Sequence, residues 1–307
     1  MVGYLLQRLL ATVPVVLGVT LAVFAMLHVV PGDPIQMMRG EFQTSPEQVA
    51  QLQAQLHLDE SLPKQYGRFI LGAVRGDLGY SIRSKRPVAT EIRDNLPSTF
   101  VLTLTGLSIA VVIGTILGVT AAVKQNSWAD MAAMIVATLG VSMPSFWLGL
   151  LLIFAFSLRL RWFPVTGDGG VAHLVLPAVS LGLGASAIIA RLTRSTMLEV
   201  LHQDYITTAR AKGLRGTAVI VRHALRNALI PTVTILGLQF GQLLAGAVVI
   251  ETVFGRPGIG RLIVGAILEK DFPVVQGIIL LVAVSYVLVN LVVDLVYAIL
   301  DPRIRYG

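Results

Sequence analysis

The chain has 307 residues, 55% of them hydrophobic and 13% charged, with no cysteine and a formal net charge of +7. Soluble domains carry about 25% charged residues, so the composition excludes an ordinary soluble globule, and the missing cysteines exclude a disulfide framework or a thiolate metal site. The basic residues are spread over several loops, which argues against nucleic-acid binding.

Six apolar stretches follow one another: Leu9–Val30, Phe100–Val123, Met131–Leu158, His173–Ala190, Ile230–Ile250 and Val274–Leu300. A bilayer core ~30 Å thick takes about 20 helical residues. Open strands cannot span lipid, and the alternation of a barrel is absent. The predicted fold class is therefore all-α and membrane-integral, with six transmembrane helices. The first stretch is too long for the apolar core of a cleaved signal, and no Ala-x-Ala site follows it. His173 and Pro177 make the fourth the weakest.

Six crossings put both termini on one side, which we assign to the cytoplasm. That side gathers Arg8, Lys124, Arg191, Arg194, Arg210, Lys212, Arg215, Arg222, Arg226, Arg303 and Arg305. The raw Lys and Arg counts slightly favour the other side. Eight of its basic residues, however, sit in the long loop Pro31–Ser98, and loops longer than ~60 residues are largely exempt from the positive-inside rule. The chain reads as one transmembrane domain over 1–307, with an extracytoplasmic helical loop at 31–98 and a cytoplasmic loop at 191–229.

Within the first loop, Pro31-Gly32-Asp33-Pro34 stops the first helix. Ser45-Pro46-Glu47 starts another, with Val49, Leu52 and Leu56 on one stripe. A second loop helix is predicted near Pro63, with Tyr66, Phe69, Ile70 and Val74 on one face, and Gly76-Asp77-Leu78-Gly79 breaks it. A third, Val88–Asn95, is predicted to lie along the interface before the second crossing. This loop serves either as a packed cap or as a landing surface for an external partner, and the two readings are compatible. In the crossings, Gly114 with Gly118 and Gly237 with Gly241 have the spacing that lets helices approach closely, within the chain or against a second subunit.

No Gly-Lys dipeptide occurs, so a P-loop is excluded, and neither His-Glu-x-x-His nor Gly-x-Ser-x-Gly is present. The five histidines never fall three or four residues apart, so no metal site is expected among sequence neighbours. Few ionisable groups lie inside the membrane. Asp294 is the clear one, with Asn290 one turn earlier on the same face. It serves either a translocation path or a structural pairing near the helix end. Gln239 and Gln242 likewise either line a polar path or bond between helices.

The loop Arg191–Leu229 is longer than a connector needs. Glu199–Lys212 reads as a helix, with Gly213 as its left-handed stop and Arg210 and Lys212 in the last turn, where the dipole favours cations. Thr217 is placed to cap a second helix running toward Pro231. A basic loop held on anionic lipid headgroups needs charge, not this helix–Gly–helix arrangement. The arrangement points to protein docking.

Several of these stretches resemble one family. Thr207-Thr208-Ala209-x-x-x-Gly213 is similar to the Glu-Ala-Ala-x-x-x-Gly loop of ABC importer permeases. Asp204-Tyr205-Ile206-x-Thr208-Ala209-Arg210-Ala211-Lys212-Gly213 and His223-Ala224-Leu225-Arg226-Asn227-Ala228 resemble the dipeptide/oligopeptide B-subunit branch. So do Pro31–Pro34, Gly76-Asp77-Leu78-Gly79-x-Ser81, Arg86-Pro87-Val88, Phe254–Arg261, Asp271–Gln276 and Asp301–Arg305. Thr207 stands where the general loop has Glu, and Arg226 where it has Pro. The resemblance implies a type I permease of the bacterial inner membrane that is not itself an enzyme. The implied partners are a homologous C-type subunit, two ABC ATPases that bind the ATP and Mg, an extracytoplasmic substrate-binding protein, and membrane lipid. It also implies that Thr207, Thr208, Ala209, Arg210, Ala211, Lys212, Gly213 and Leu214 contact the ATPases and drive alternating access. Di- or oligopeptides are the expected cargo. Glutathione or nickel import by the same family, a proton-coupled carrier and a passive channel are the competing readings.

Overall fold

The computed structural model describes residues 2–29 and 60–300; side chains are described at 11–27, 29 and 60–293. The described chain is helical: α1 (Val2–Val29), α2 (Leu62–Val74), α3 (Val88–Val123), α4 (Trp128–Ser142) and α5 (Ser145–Leu152) come first. A π-helical stretch, π1 (Ile153–Arg159), continues α5. Then follow α6 (Val171–Leu201), α7 (Asp204–Ala211), α8 (Gly216–Ala218), a second π stretch π2 (Val219–Leu225), α9 (Arg226–Ala228), α10 (Ile230–Val253), α11 (Ile259–Leu268) and α12 (Phe272–Leu300). Among the described residues, α3, α6, α10 and α12 are long and apolar enough to cross a membrane, and α4 with α5–π1 makes a broken fifth crossing. In α1, Ala11–Leu27 is a shorter apolar stretch. The described residues of all six expected apolar segments thus lie on helices, Met143 and Pro144 excepted.

The expected single helix over Met131–Leu158 is corrected: it bends by 105° between Ser142 and Ser145. Pro144 has no N–H, and its ring pushes Met143 out of the helical region, to φ −92° and ψ 126°. The expected separate interfacial helix at Val88–Asn95 is also corrected, because α3 runs unbroken from Val88 to Val123 through Pro97. The expected helix Glu199–Lys212 divides. α6 reaches Leu201, Gln203 is extended, and α7 starts at Asp204 with an acidic first turn that suits the helix dipole. The expected helix near Pro63 is α2, with Pro at its first turn. The Ser45–Leu56 helix and the Pro31–Pro34 turn lie outside the described residues.

The chain divides into two compact units, one from Met1–Leu96 and Leu262–Val287, the other from Pro97–Arg261 and Leu288–Gly307. In the first, Tyr66 donates from its hydroxyl to the Leu17 carbonyl at 3.0 Å, and its ring lies 5.5 Å from that of Phe24. This turns the Tyr66 face of α2 onto α1 and leaves Val74, at 82% exposed, outside that contact. Asp271, buried before α12, accepts from the Ser81 hydroxyl at 2.5 Å and from the Ile82 and Arg83 N–H groups at 3.1 and 3.3 Å. Two stretches 190 residues apart in sequence meet there.

The second unit is built on α6. Leu176, Leu181, Ala185 and Ile189 of α6 share a buried core with Leu102 and Ala110 of α3, Ile153 of π1, and Leu243, Ala247 and Ile250 of α10. The glycine spacing in α3 has its reason here: a Cβ on Gly114 would stand 2.6 Å from the Ser186 carbonyl oxygen, and one on Gly118 2.6 Å from that of Ala190. Close approach of α3 and α6 within one chain therefore requires both glycines. Gly237 does the same for α10 and α12, where a Cβ would come 3.0 Å from Val293 and 3.2 Å from the Asn290 amide oxygen.

Candidate functional site

The segment Asp204–Leu229 forms a knob with an apolar inside and a basic outside. α7 has only eight residues, too few to stand alone in water, so packing must hold it. Ile206 and Ala209, one turn apart, supply the inner face at 0% and 8% exposed. They join Val219 and Ala224 of π2, Ala228 of α9, Met197 of α6 and Ala122 of α3 in one buried cluster. Beyond this apolar contact, the Asn227 amide donates to the Tyr205 hydroxyl at 2.8 Å, and the Thr196 hydroxyl donates to the Ala228 carbonyl at 2.9 Å. The knob is thereby fastened to the ends of α3 and α6 and, through α9, to the start of α10.

The stop after α7 is as expected. Gly213 has φ +75°. Its N–H bonds to the Arg210 carbonyl at 3.0 Å, and the Leu214 N–H reaches back to the Ala209 carbonyl at 3.4 Å, the paired closure of a Schellman motif. Thr217 is corrected as a cap: α8 begins at Gly216 with Arg215 in the N-cap position, and Thr217 sits within the first turn. Thr207, Thr208, Arg210, Ala211, Lys212, Gly213 and Leu214 are all exposed, whereas Ala209 is buried. Seven of the eight residues singled out thus form a surface, and Ala209 is its anchor. Among the described residues, Arg210, Lys212, Arg215, Arg222 and Arg226 make no ion pair. Leu214 and Tyr205 stand out among these cations, 43% and 42% exposed. Exposed apolar side chains ringed by unpaired cations suit a protein surface carrying acidic residues.

A second feature went unmarked in the sequence. Arg194 of α6 makes a two-armed bond to Asp130 of α4, Nε to Oδ1 and Nη2 to Oδ2, both at 2.8 Å. Asp130 is buried, and it also accepts from the Asn126 N–H at 3.1 Å. This bidentate pair fastens α4 to α6 one turn before Met197 enters the knob's core. In the sequence, Arg194 stands out only as one of the basic residues on one side of the membrane. The available signal was Ser127-x-x-Asp130, an N-cap with an acidic first turn.

The residues expected along a translocation path lie on α10 and α12. Gln239 is buried and Gln242 exposed, so these neighbours on α10 do not share one environment. Asn290 is half-buried on α12 beside Gly237. The side chain of Asp294 lies outside the described residues. No group of three or more His, Cys, Asp or Glu that could hold a metal occurs among the described residues.

Comparison with known proteins gives a consistent picture. Residues 114–306 match the family described as binding-protein-dependent transport system inner membrane component, and residues 1–103 match the N-terminal family of the same components. The chain is 44% identical over 306 residues to the glutathione transport system permease protein GsiC of Escherichia coli, covering 100% of both chains. It is 43% identical over 334 residues to the dipeptide transport system permease protein DppB of Alkalihalophilus pseudofirmus, again covering 100% of both. Among solved structures, inward-facing forms of the MetNI methionine ABC transporter align with TM-scores of 0.58 and 0.59 at 19% and 18% identity. These cover 68% and 69% of this chain and 96% of the compared chain.

Proposed function

The chain belongs to the family of binding-protein-dependent transport system inner membrane components, and on that premise we propose that it admits short peptides to the cytoplasm when ATPase subunits pull on Thr207–Leu214. It is a permease component of an ABC importer, a multi-pass protein of the bacterial inner membrane with an all-α permease fold. The finer reading is ours. One observation carries it: a short helix and its C-cap expose Thr207, Thr208, Arg210 and Lys212 while Ile206 and Ala209 fix the helix to α3 and α6. A surface held this way transmits displacement instead of absorbing it.

In this reading, two ATPases close on ATP, the knob shifts, and α3, α6 and α10 follow. The cavity then opens to an extracytoplasmic binding protein, and hydrolysis reverses the motion. A homologous second permease subunit completes the pathway. ATP and Mg belong to the ATPases. Peptide cargo is supported by two relatives named for a dipeptide and for glutathione, itself a tripeptide. The test is uptake of labelled dipeptide and of glutathione into proteoliposomes holding the complete transporter with ATP on the ATPase side. Saturable, ATP-dependent uptake of one of them is expected. Uptake by this chain alone, driven by a proton gradient without ATPases, would refute the reading. Uptake of nickel but of neither peptide would refute the cargo.

A further inference from the structure

The stretch Phe254–Arg261 is not used by the cytoplasmic knob, yet it converges on one carboxylate. Glu251 stands in the last turn of α10 and is fully buried. Its Oε1 accepts from the hydroxyl of Thr99 on α3. Its Oε2 accepts from the backbone N–H groups of Gly260 at 2.8 Å and Arg261 at 3.1 Å. The Thr99 oxygen in turn accepts from the Ile259 N–H at 2.8 Å. One carboxylate and one hydroxyl thereby satisfy three N–H groups in the first turn of α11, and the negative charge lies where the helix dipole is positive.

Glycine permits this approach. A Cβ on Gly258 would collide with the Glu251 carboxyl group, and one on Gly260 would collide with both that group and the Val248 backbone. Nearby, the Arg256 guanidinium, 4% exposed, donates to Asp168 at 2.7 Å, and the Gly167 N–H donates to the Phe254 carbonyl at 3.2 Å. These bonds hold the segment in place.

The position of this clamp is informative. At the cytoplasmic end, α3 enters the knob's core through Ala122, and α10 follows directly from α9 and Ala228. At the other end the same two helices are joined by Thr99 and Glu251. We propose that Glu251 is a positioning residue of the transport cycle, locking the extracytoplasmic half of α3 to the extracytoplasmic end of α10 so that a displacement entering at the knob moves both as one body. This inference rests on the importer reading above.

The test uses the complete transporter in proteoliposomes and measures cargo imported per ATP hydrolysed. Thr99→Val removes the hydroxyl and keeps the shape. It is expected to leave assembly and ATP hydrolysis intact while cargo per ATP falls about tenfold, within the coupling range of a shared hydrogen-bond network. Thr99→Ser keeps the hydroxyl and should keep the wild-type ratio. Glu251→Gln should uncouple similarly, and combining it with Thr99→Val should add little, since both cut one link. If Glu251→Gln fails to accumulate, the Thr99 pair decides alone. A wild-type ratio in Thr99→Val, or equal losses in the Ser and Val variants, would overturn the inference. Absence of ATP-dependent uptake in the wild type would instead refute the importer reading.

Discussion

Replacing Gly213 by valine isolates the shape of the knob from its contacts. Gly213 sits at φ +75°, and a Cβ built on it meets nothing within 4 Å. The substitution therefore adds no clash with a neighbour and acts only through the backbone. Holding an L-residue in the left-handed region costs roughly 1–2 kcal/mol, and a β-branched side chain sits at the upper end. At that cost the ratio of correctly closed to open loop falls roughly 5–30-fold. The bonds from Gly213 and Leu214 back to Arg210 and Ala209 open first, and Leu214 leaves its exposed position. ATP-dependent uptake should fall by up to that factor while the subunit still inserts and accumulates. Gly213→Asn is the control, because asparagine tolerates the left-handed region, and it should retain most activity. Wild-type uptake in the valine variant would refute the reasoning. Equal losses with asparagine and valine would show that side-chain size, not backbone conformation, is what the partner senses.

Other substitutions probe other joints. Ile206→Ala removes a fully buried side chain from the knob's core, and a loss of about 2–5 kcal/mol there should detach α7, seen as proteolysis at the 202–216 region and loss of ATPase co-purification. Arg194→Met leaves Asp130 charged and unpaired; because Arg194 is 28% exposed, the expected loss is about 2 kcal/mol, below the range for fully buried pairs. Thermal unfolding of the detergent-solubilised complex measures it, and Arg194→Lys should recover only part because the two-armed geometry is lost. Gly118→Leu should prevent α3 from seating on α6, and a normally folded, protease-resistant subunit would contradict that packing. Arg210→Glu with Lys212→Glu should weaken ATPase association most at low salt, and salt-independent affinity would argue against charge-guided docking.

Much of this architecture was legible because its causes are local. A glycine after two basic residues marks a left-handed helix stop, and Gly213 is one. The spacing of Gly114 and Gly118 announces close packing, although only the fold shows that the neighbour is α6 of the same chain. What stayed hidden depends on residues far apart in sequence. Asp271 reads as a loop acid until Ser81 is seen beside it, and Glu251 reads as the polar end of a crossing until Thr99 and the α11 N-terminus close around it. Pro144 was visible, but apolar length alone made its surroundings look like one straight crossing. The path residues illustrate the same limit: spacing placed Gln239 and Gln242 together, while packing buried one and exposed the other.

The 105° bend at Met143–Pro144 decides where stiffness resides. A rod broken at a proline folds at its elbow when pushed from one end and delivers little thrust to the other. α6 is different. Its 31 residues make a strut roughly 46 Å long, against an apolar membrane thickness of ~30 Å. That length is braced to the broken rod by Arg194 and Asp130.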